Sequence, residues 1–487
     1  MVTFIIALLA LVAGYFVYGR FVERLVGHDY SKPTPAMAHP DGVDYVPLPT
    51  WKVYMIQFLN IAGLGPIFGA IMGAKFGTAS YLWIVLGTIF AGAVHDFMAA
   101  MNSMAHDGES LPETIGRYLG RKTKTVFGVF TVVLMILVGA VFVSGPAELL
   151  AGMTPEWADA LFWIVVIFAY YVAATMLPID KVIGRIYPVF AIALIVMAVG
   201  ILGSLLVYRP DLPEMWDGFG TKYEANPIFP MMFVSIACGA ISGFHATQSP
   251  LMVRCLKSAR DGRRVFYGSM VTEGVVALIW AAAATAFFAE HGVADTATGK
   301  PYTGAGVATL LSREWLGAVG SVLVVLGIVA APITSGDTAL RSARLIVADF
   351  LHFGQKKISS RLIISAPIFL LTFGVLVFSL RDANGFNIIW RYFAWCNQTL
   401  AFFTLWSLTV YLVRSRKLFV VTLVPALWMT AVCTSYLFVA PECLNLLPGV
   451  GWFPPAVGGA AALLAFAIFM AWYRKADKGG LAKATAE

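Results

Sequence analysis

Charge is what this sequence has least of. Asp, Glu, Lys and Arg together make up 13% of its 487 residues, about half the share of an ordinary soluble domain. That scarcity argues against a soluble enzyme with a solvated surface. Cysteine is sparse and odd in number, at Cys238, Cys255, Cys396, Cys433 and Cys443. None stands in a CxxC pair, so neither a metal knuckle nor a disulfide framework is indicated. No low-complexity stretch or linker divides the chain. The apolar start, Val2 to Gly19, lacks the basic lead and small-residue cleavage site of a signal peptide and reads as a first span. The net charge of +7 would suggest nucleic acid in a soluble protein. Here it reflects basic cytoplasmic loops, and no nucleic-acid partner is expected.

What the chain has in abundance is apolar length. Hydrophobic residues make up 59% of it, and the mean hydropathy is +0.79. A membrane span needs about 20 apolar residues, and polar or basic breaks separate thirteen candidates. They lie near 2–19, 54–74, 79–104, 124–146, 158–177, 186–207, 228–253, 265–289, 315–340, 362–379, 388–413, 418–439 and 452–473. The expected class is an all-α polytopic membrane protein. With alternating loops, only Lys75, Arg209, Lys222, Lys300, Arg313, Arg381 and Arg391 of the 34 basic residues fall on one side. The positive-inside rule then puts the C-terminus in the cytoplasm and the N-terminus outside.

Two spans are punctuated where a helix should run unbroken. The second contains Asn60-Ile-Ala-Gly63-Leu-Gly65-Pro66-Ile-Phe-Gly69, and the seventh contains Gly239-Ala-Ile-Ser242-Gly243-Phe-His245-Ala-Thr247-Gln248-Ser249-Pro250. Proline cannot donate to the helix ladder, and glycine tolerates unwound backbone. Pro66 and Pro250 suit the first position of a new half-helix, with Ser249 as N-cap. Either segment alone can be a kink with a small-residue packing face. Their spacing of five spans favours two five-helix repeats, 54–207 and 208–413, of inverted topology because five is odd. Residues 1–53 would then be a peripheral helix and cytoplasmic loop, and 414–487 two added helices with a basic tail. This arrangement resembles the LeuT-type fold of the amino acid–polyamine–organocation superfamily.

Ionisable residues at membrane depth usually line a pathway or pair internally. Asp96, beside His95, and Glu273 each lie about nine residues, roughly 14 Å of helix rise, from the inner ends of their spans. Both therefore fall near the midplane, either as proton carriers or as fixed structural partners. His245, within the second interruption, can reach a central cavity or be satisfied by a neighbour. Thr247, Gln248 and Ser249 extend a polar run suited to substrate oxygens. In the ninth span, Pro332-Ile-Thr334-Ser335-Gly336-Asp337-Thr338-Ala-Leu-Arg341 ends in a basic turn. Asp337 can carry a proton or pair with Arg341 at an inner gate. Glu148 is either an outer gate or an interfacial residue. Asp41-Gly-Val-Asp44-Tyr-Val-Pro47, with His28 and His39 nearby, reads as a structured cytoplasmic loop rather than a metal site. No metal or cofactor is expected beyond a coupling proton or a bound sodium ion.

Six motifs occur in order: Asp41-Gly-Val-Asp44-Tyr-Val-Pro47, Ala62-Gly-Leu-Gly-Pro66, Ala93-Val-His-Asp96, Gly108-Glu-Ser-Leu, Ser242-Gly-Phe-His245 and Gly336-Asp-Thr-Ala-Leu-Arg341. Together, from about residue 15 to residue 350, they resemble the carbon-starvation (CstA) transporter family. The resemblance implies a prokaryotic inner-membrane transporter of peptides or pyruvate, with proton coupling proposed for the pyruvate carriers. The LeuT-like resemblance implies that Thr334 and Ser335 are sodium-site hydroxyls facing the first interrupted helix. Long members of the family differ from this chain around Ser335–Leu340 and Ala246–Pro250. The expected function is secondary active import of a small carboxylate-bearing nutrient. Its carboxylate would dock at half-helix N-termini near Gly63, Gly65–Pro66 and Ser249–Pro250. His245, Gln248, Ser242 and Gly243 would orient it. A channel is the alternative, and a membrane enzyme a weaker one, because no nucleophile–base set or metal-ligand spacing accompanies His95, Asp96 and His245.

Overall fold

The computed structural model describes residues 1–487 except 28–29, 178–182, 220–226, 297–298, 356, 382–384, 442, 446–450 and 479–487. His28 lies outside the described residues. The chain begins with α1 (Val2–Phe16) and α2 (Tyr18–Val26), then a loop with the short turn α3 (Pro35–Ala38). The halves α4 (Thr50–Ile61) and α5 (Ala70–Ala74) flank a break. Next come α6 (Ala79–Gly87) and α7 (Ala93–Ala105) joined by a π turn, the amphipathic α8 (Leu111–Leu119), α9 (Arg121–Ala151), α10 (Ala160–Met176) and α11 (Ile183–Tyr208). A second interrupted helix consists of α12 (Ile228–Ser235) and α13 (Gly243–Val253). It is followed by α14 (Gly268–His291), α15 (Gly304–Leu323), α16 (Ala330–Leu351), α17 (Ile358–Arg381), α18 (Gly385–Arg414), α19 (Val420–Val439) and α20 (Phe453–Lys478). No strand is present among the described residues, only isolated bridges such as Leu48 with Leu256.

Each of the thirteen expected segments contains helix. By length and apolar composition, nine helices among the described residues can cross a membrane, or ten when α4 and α5, bent by 53°, count as one. The shortfall has visible causes in two places: α10 has 17 residues, and α12 and α13 have eight and eleven. Gly317 (φ 60°) breaks the start of α15 from the long rod that continues through α16. An L-residue is strained at that φ, which glycine adopts freely.

The bundle is apolar on both its inside and its outside. Val126, Val129 and Val133 of α9 are exposed, as are Val189, Ile192, Val196 and Val199 of α11. Spacings of three and four put each set on one helix face, and such apolar faces suit contact with lipid. The polar residues go the other way. His95, Asp96, His245, Glu273, Asn397 and Arg341 are all fully buried, so the polar centre lies inside the bundle.

Candidate functional site

The site is built where the two interrupted helices meet. After Ile61 the backbone leaves the helix at Ala62 (φ −80°, ψ 48°) and re-coils as a π turn, Gly65–Gly69, with Pro66 in its first turn. The second interrupted helix leaves α12 at Ile236 (φ −91°, ψ 58°) and resumes at Gly243, with Ser242 extended as N-cap. A Cβ on Gly65 would overlap Cys238, so only glycine lets the two breaks approach this closely. The expected half-helix start at Ser249–Pro250 is therefore corrected. Pro250 lies inside α13, and Ser249 donates to the His245 carbonyl within the helix (3.1 Å). The N-terminus is at Ser242–Gly243, which puts His245 in the first turn of the half-helix rather than in the break.

Unwound backbone in a dry interior needs partners, and neighbouring spans supply them. Asn397 of α18 accepts from the Ser242 hydroxyl (3.0 Å) and the Phe244 amide (2.7 Å) through one oxygen. Gln398 donates to the carbonyls of Phe233 and Ala237 (3.3 and 3.1 Å). The Thr88 hydroxyl donates to the Gly239 carbonyl (3.1 Å). Sequence reasoning missed Asn397 and Gln398, although two adjacent amides inside an apolar span were a signal that could have found them.

Four residues singled out separately in the sequence meet here. Asp96 on α7 bonds His95 Nδ1 through one oxygen (2.8 Å) and His245 Nδ1 through the other (2.9 Å). His245 Nε2 stands 3.5 Å from a Glu273 oxygen on α14, and every side chain in this chain of contacts is fully buried. Neither Glu273 oxygen has a hydrogen-bond partner among the described residues, and His95 Nε2 has none either. Imidazole rings linked by carboxylates can pass a proton along such a chain.

A second polar set lies between α4 and α16. The Ser335 hydroxyl donates toward the Leu59 and Ala331 carbonyls, each at 3.0 Å, beside Gly63 of the break. The Thr334 hydroxyl bonds Ala331 O in its own helix (2.7 Å), and it is Thr338 that reaches Asn60 Oδ1 (3.4 Å). Both polar atoms of buried Gln57, and Asn60 Nδ2, are without partners among the described residues. Oxygens at Leu59, Asn60, Ser335 and Thr338 are hard donors of the kind an alkali cation takes.

The remaining expected residues fall apart from these centres. Gln248 Nε2 lies against the Thr247 and Ser342 hydroxyls (3.0 and 3.4 Å), and Thr247 bonds the Phe244 carbonyl (2.7 Å). Asp337 does not pair with Arg341. It accepts from Tyr170 (2.9 Å), while Arg341 donates to the carbonyls of Ala174 and Leu177 and lies 3.3 Å from Asp44. Arg344 reaches the same carboxylate at 3.3 Å. Burial raises Asp44's affinity for a proton, but Arg344, Arg341 and Arg254 outweigh it and hold the group below its ordinary pKa. The loop expected from Asp41 to Pro47 is ordered as read: Asp41 Oδ1 accepts from the amides of Val43, Asp44 and Tyr45. Glu148 is exposed near the C-terminal end of α9, away from the polar centre.

A bundle of apolar helices around two interrupted helices, crossing at a buried polar centre, defines a multi-pass membrane protein. More particularly, the carbon starvation protein CstA family model matches residues 1–159, 154–291 and 281–436, and the chain belongs to that family. An uncharacterized membrane protein of Haemophilus influenzae is 40% identical over 339 residues, covering 59% of this chain and 91% of that one. The peptide transporter CstA of Escherichia coli is 25% identical, with 86% and 78% covered. The pyruvate/proton symporter BtsT of the same organism is 28% identical, with 56% and 47% covered. The chain thus spans about half the length of that symporter. Among solved structures, MhsT in complex with L-phenylalanine shares the fold, with a TM-score of 0.54, 15% identity and coverage of 85% and 97%. With these bacterial relatives, the chain is a multi-pass protein of the inner membrane.

Proposed function

We propose that this transporter imports a small carboxylate-bearing nutrient, a peptide or pyruvate, by alternating access driven by protons. The observation that carries the reading is the buried chain His95–Asp96–His245–Glu273 at the crossing of the two interrupted helices. An unpaired carboxylate in a dry interior is costly. Glu273 is therefore tolerated with a bound proton or opposite a protonated His245. Loading and releasing that proton changes what the crossing helices hold between them.

The substrate carboxylate docks at the half-helix starts, around Gly63–Pro66 and Ser242–Gly243, where the helix dipole favours an anion. His245 stands in the first turn of α13 beside it, and Thr247, Gln248 and Ser249 follow further along that helix. Asp44 with Arg341 and Arg344 closes the cytoplasmic side, and Phe68, Phe142, Phe386, Trp390 and Phe393 form a cluster of tilted and edge-on ring contacts toward the outside. This assignment takes all thirteen segments as spans, residues 54–207 and 208–413 as inverted LeuT-like repeats, the N-terminus outside and the C-terminus in the cytoplasm. It is supported by the interruption of helices five spans apart and by the placement of basic residues. The relatives named as a peptide transporter and a pyruvate/proton symporter support the substrate class.

The contact of Ser335 with the Leu59 carbonyl favours one second reading: sodium held among Leu59, Asn60, Thr334 or Thr338, and Ser335, in place of the proton or with it. Asp337, next to this set, is an alternative proton carrier. Uptake of labelled pyruvate and of a labelled dipeptide into proteoliposomes, under a proton gradient or a sodium gradient alone, tests both readings. Accumulation under the proton gradient, abolished by an uncoupler, supports the first. Accumulation under sodium alone supports the second. Current without saturation would make the protein a channel.

A further inference from the structure

A groove of about 460 Å³ lies between α1, α4 and α14, away from the central site. Its walls include Val12, Tyr15, Phe16, Met55, Val271 and Val275, and Arg264 and Trp51 stand among its lining residues. Val12 and Phe16 are exposed by 45% and 51%, so on the membrane reading above the groove opens toward lipid. Basic side chains gather around its mouth. Arg263 stacks on Tyr15 at 4.7 Å and pairs with Glu23 (2.7 Å), which neutralises it. Lys52 lies 5.7 Å from the Trp51 ring. Arg264 is exposed and makes no ion pair among the described residues.

We infer that this groove holds one anionic phospholipid of the cytoplasmic leaflet, with an acyl chain along the apolar walls and the phosphate at Arg264 and Lys52. The inference uses the orientation proposed above but not the transport mechanism. Charge complementarity selects the occupant, because apolar walls alone accept any lipid, whereas a free guanidinium beside an interfacial tryptophan favours a negative headgroup. A larger groove beside Trp83 and Trp428 has no Lys or Arg among its described lining residues, so its chemistry does not discriminate between headgroups. The inferred lipid would touch α4 and α14 where they are joined by the hydrogen bond between Tyr54 and Thr272 (2.6 Å), next to Glu273.

Native mass spectrometry of the detergent-purified full chain tests this directly, with phosphatidylglycerol and phosphatidylcholine titrated separately. The wild type should bind one phosphatidylglycerol more tightly than phosphatidylcholine. Arg264→Gln should weaken phosphatidylglycerol about fivefold, the effect of one basic residue near a membrane surface, and leave phosphatidylcholine unchanged. Val12→Trp, at a lipid-exposed position where folding is not at risk, should fill the groove and remove the tight site for both lipids. Unchanged phosphatidylglycerol preference in Arg264→Gln would overturn the inference, as would a tight site that survives Val12→Trp. Loss of transport with lipid binding intact would concern the central site and not this one.

Discussion

Replacing Asp44 by Asn removes one negative charge from between two buried guanidiniums. Asp44 lies 3.3 Å from both Arg341 and Arg344, whose side chains are 1% and 0% exposed. At an effective dielectric near 20, each contact is worth roughly 5 kcal/mol of Coulomb energy before desolvation is subtracted. Removing one partner of a buried pair typically costs about 3–5 kcal/mol, because the remaining charge is left uncompensated. Here the lower end applies: Arg341 keeps the carbonyls of Ala174 and Leu177, and Arg344 keeps Gln355 Oε1 at 2.9 Å. A loss of about 3 kcal/mol is roughly a hundredfold shift in an equilibrium constant. If the pair closes the cytoplasmic side, the shift goes to the inward-open state. Ser342→Cys, beside Gln248, should then react with a membrane-impermeant thiol reagent far faster in Asp44→Asn than in otherwise wild-type protein. Cys443, the exposed native cysteine among the described residues, would be replaced by serine in both. Equal labelling rates together with equal melting temperatures would refute the reasoning. The pH dependence follows from linkage. The folded protein holds Asp44 below its ordinary pKa, so its contribution is complete above about pH 3.8 and disappears as pH falls through the lower, folded value. The deficit of the variant should therefore be constant from pH 5 to pH 8 and shrink only in stronger acid.

Gly65→Ala should destabilise by about 1–3 kcal/mol through overpacking against Cys238, and Cys238→Gly in the same chain should restore melting temperature and uptake together. Asn397→Ala removes the side chain that holds Ser242 and Phe244, a capping loss of about 0.5–2 kcal/mol. Uptake should fall by raised KM more than by insertion, measured as transport against membrane abundance. Ser335→Ala should leave uptake under a proton gradient unchanged, and a loss confined to sodium-driven uptake would instead support the cation reading.

Much of the centre could be read from residue type and spacing. Gly63–Pro66 and Gly239–Gly243 marked the interruptions because a continuous helix has little use for clustered glycine there. His95, Asp96, His245 and Glu273 stood out because charge at membrane depth is costly. What could not be read depended on partners far away in the chain. Ser249–Pro250 has the local pattern of a helix start, yet the start is set seven residues earlier by Asn397, which lies about 150 residues further on and receives the Ser242 and Phe244 donors. Asp337 and Arg341 have the i, i+4 spacing of a helical pair. Tyr170 takes the carboxylate and Asp44 draws the guanidinium, and neither choice is written in local sequence. The thirteen segments read from the sequence and the nine or ten helices among the described residues that are long and apolar enough to cross differ for a related reason: broken and polar segments are tolerated where neighbours satisfy them, and length and hydropathy do not register them.

The central claim is that the buried chain ending at Glu273 carries the driving proton. Its most direct test is counterflow and gradient-driven uptake of pyruvate and a dipeptide in proteoliposomes containing wild type, Glu273→Gln or His245→Ala. The account predicts that Glu273→Gln still exchanges substrate across the membrane without a gradient but no longer accumulates it under a proton gradient, while His245→Ala loses both. Proton-driven accumulation at the wild-type level in Glu273→Gln would contradict it.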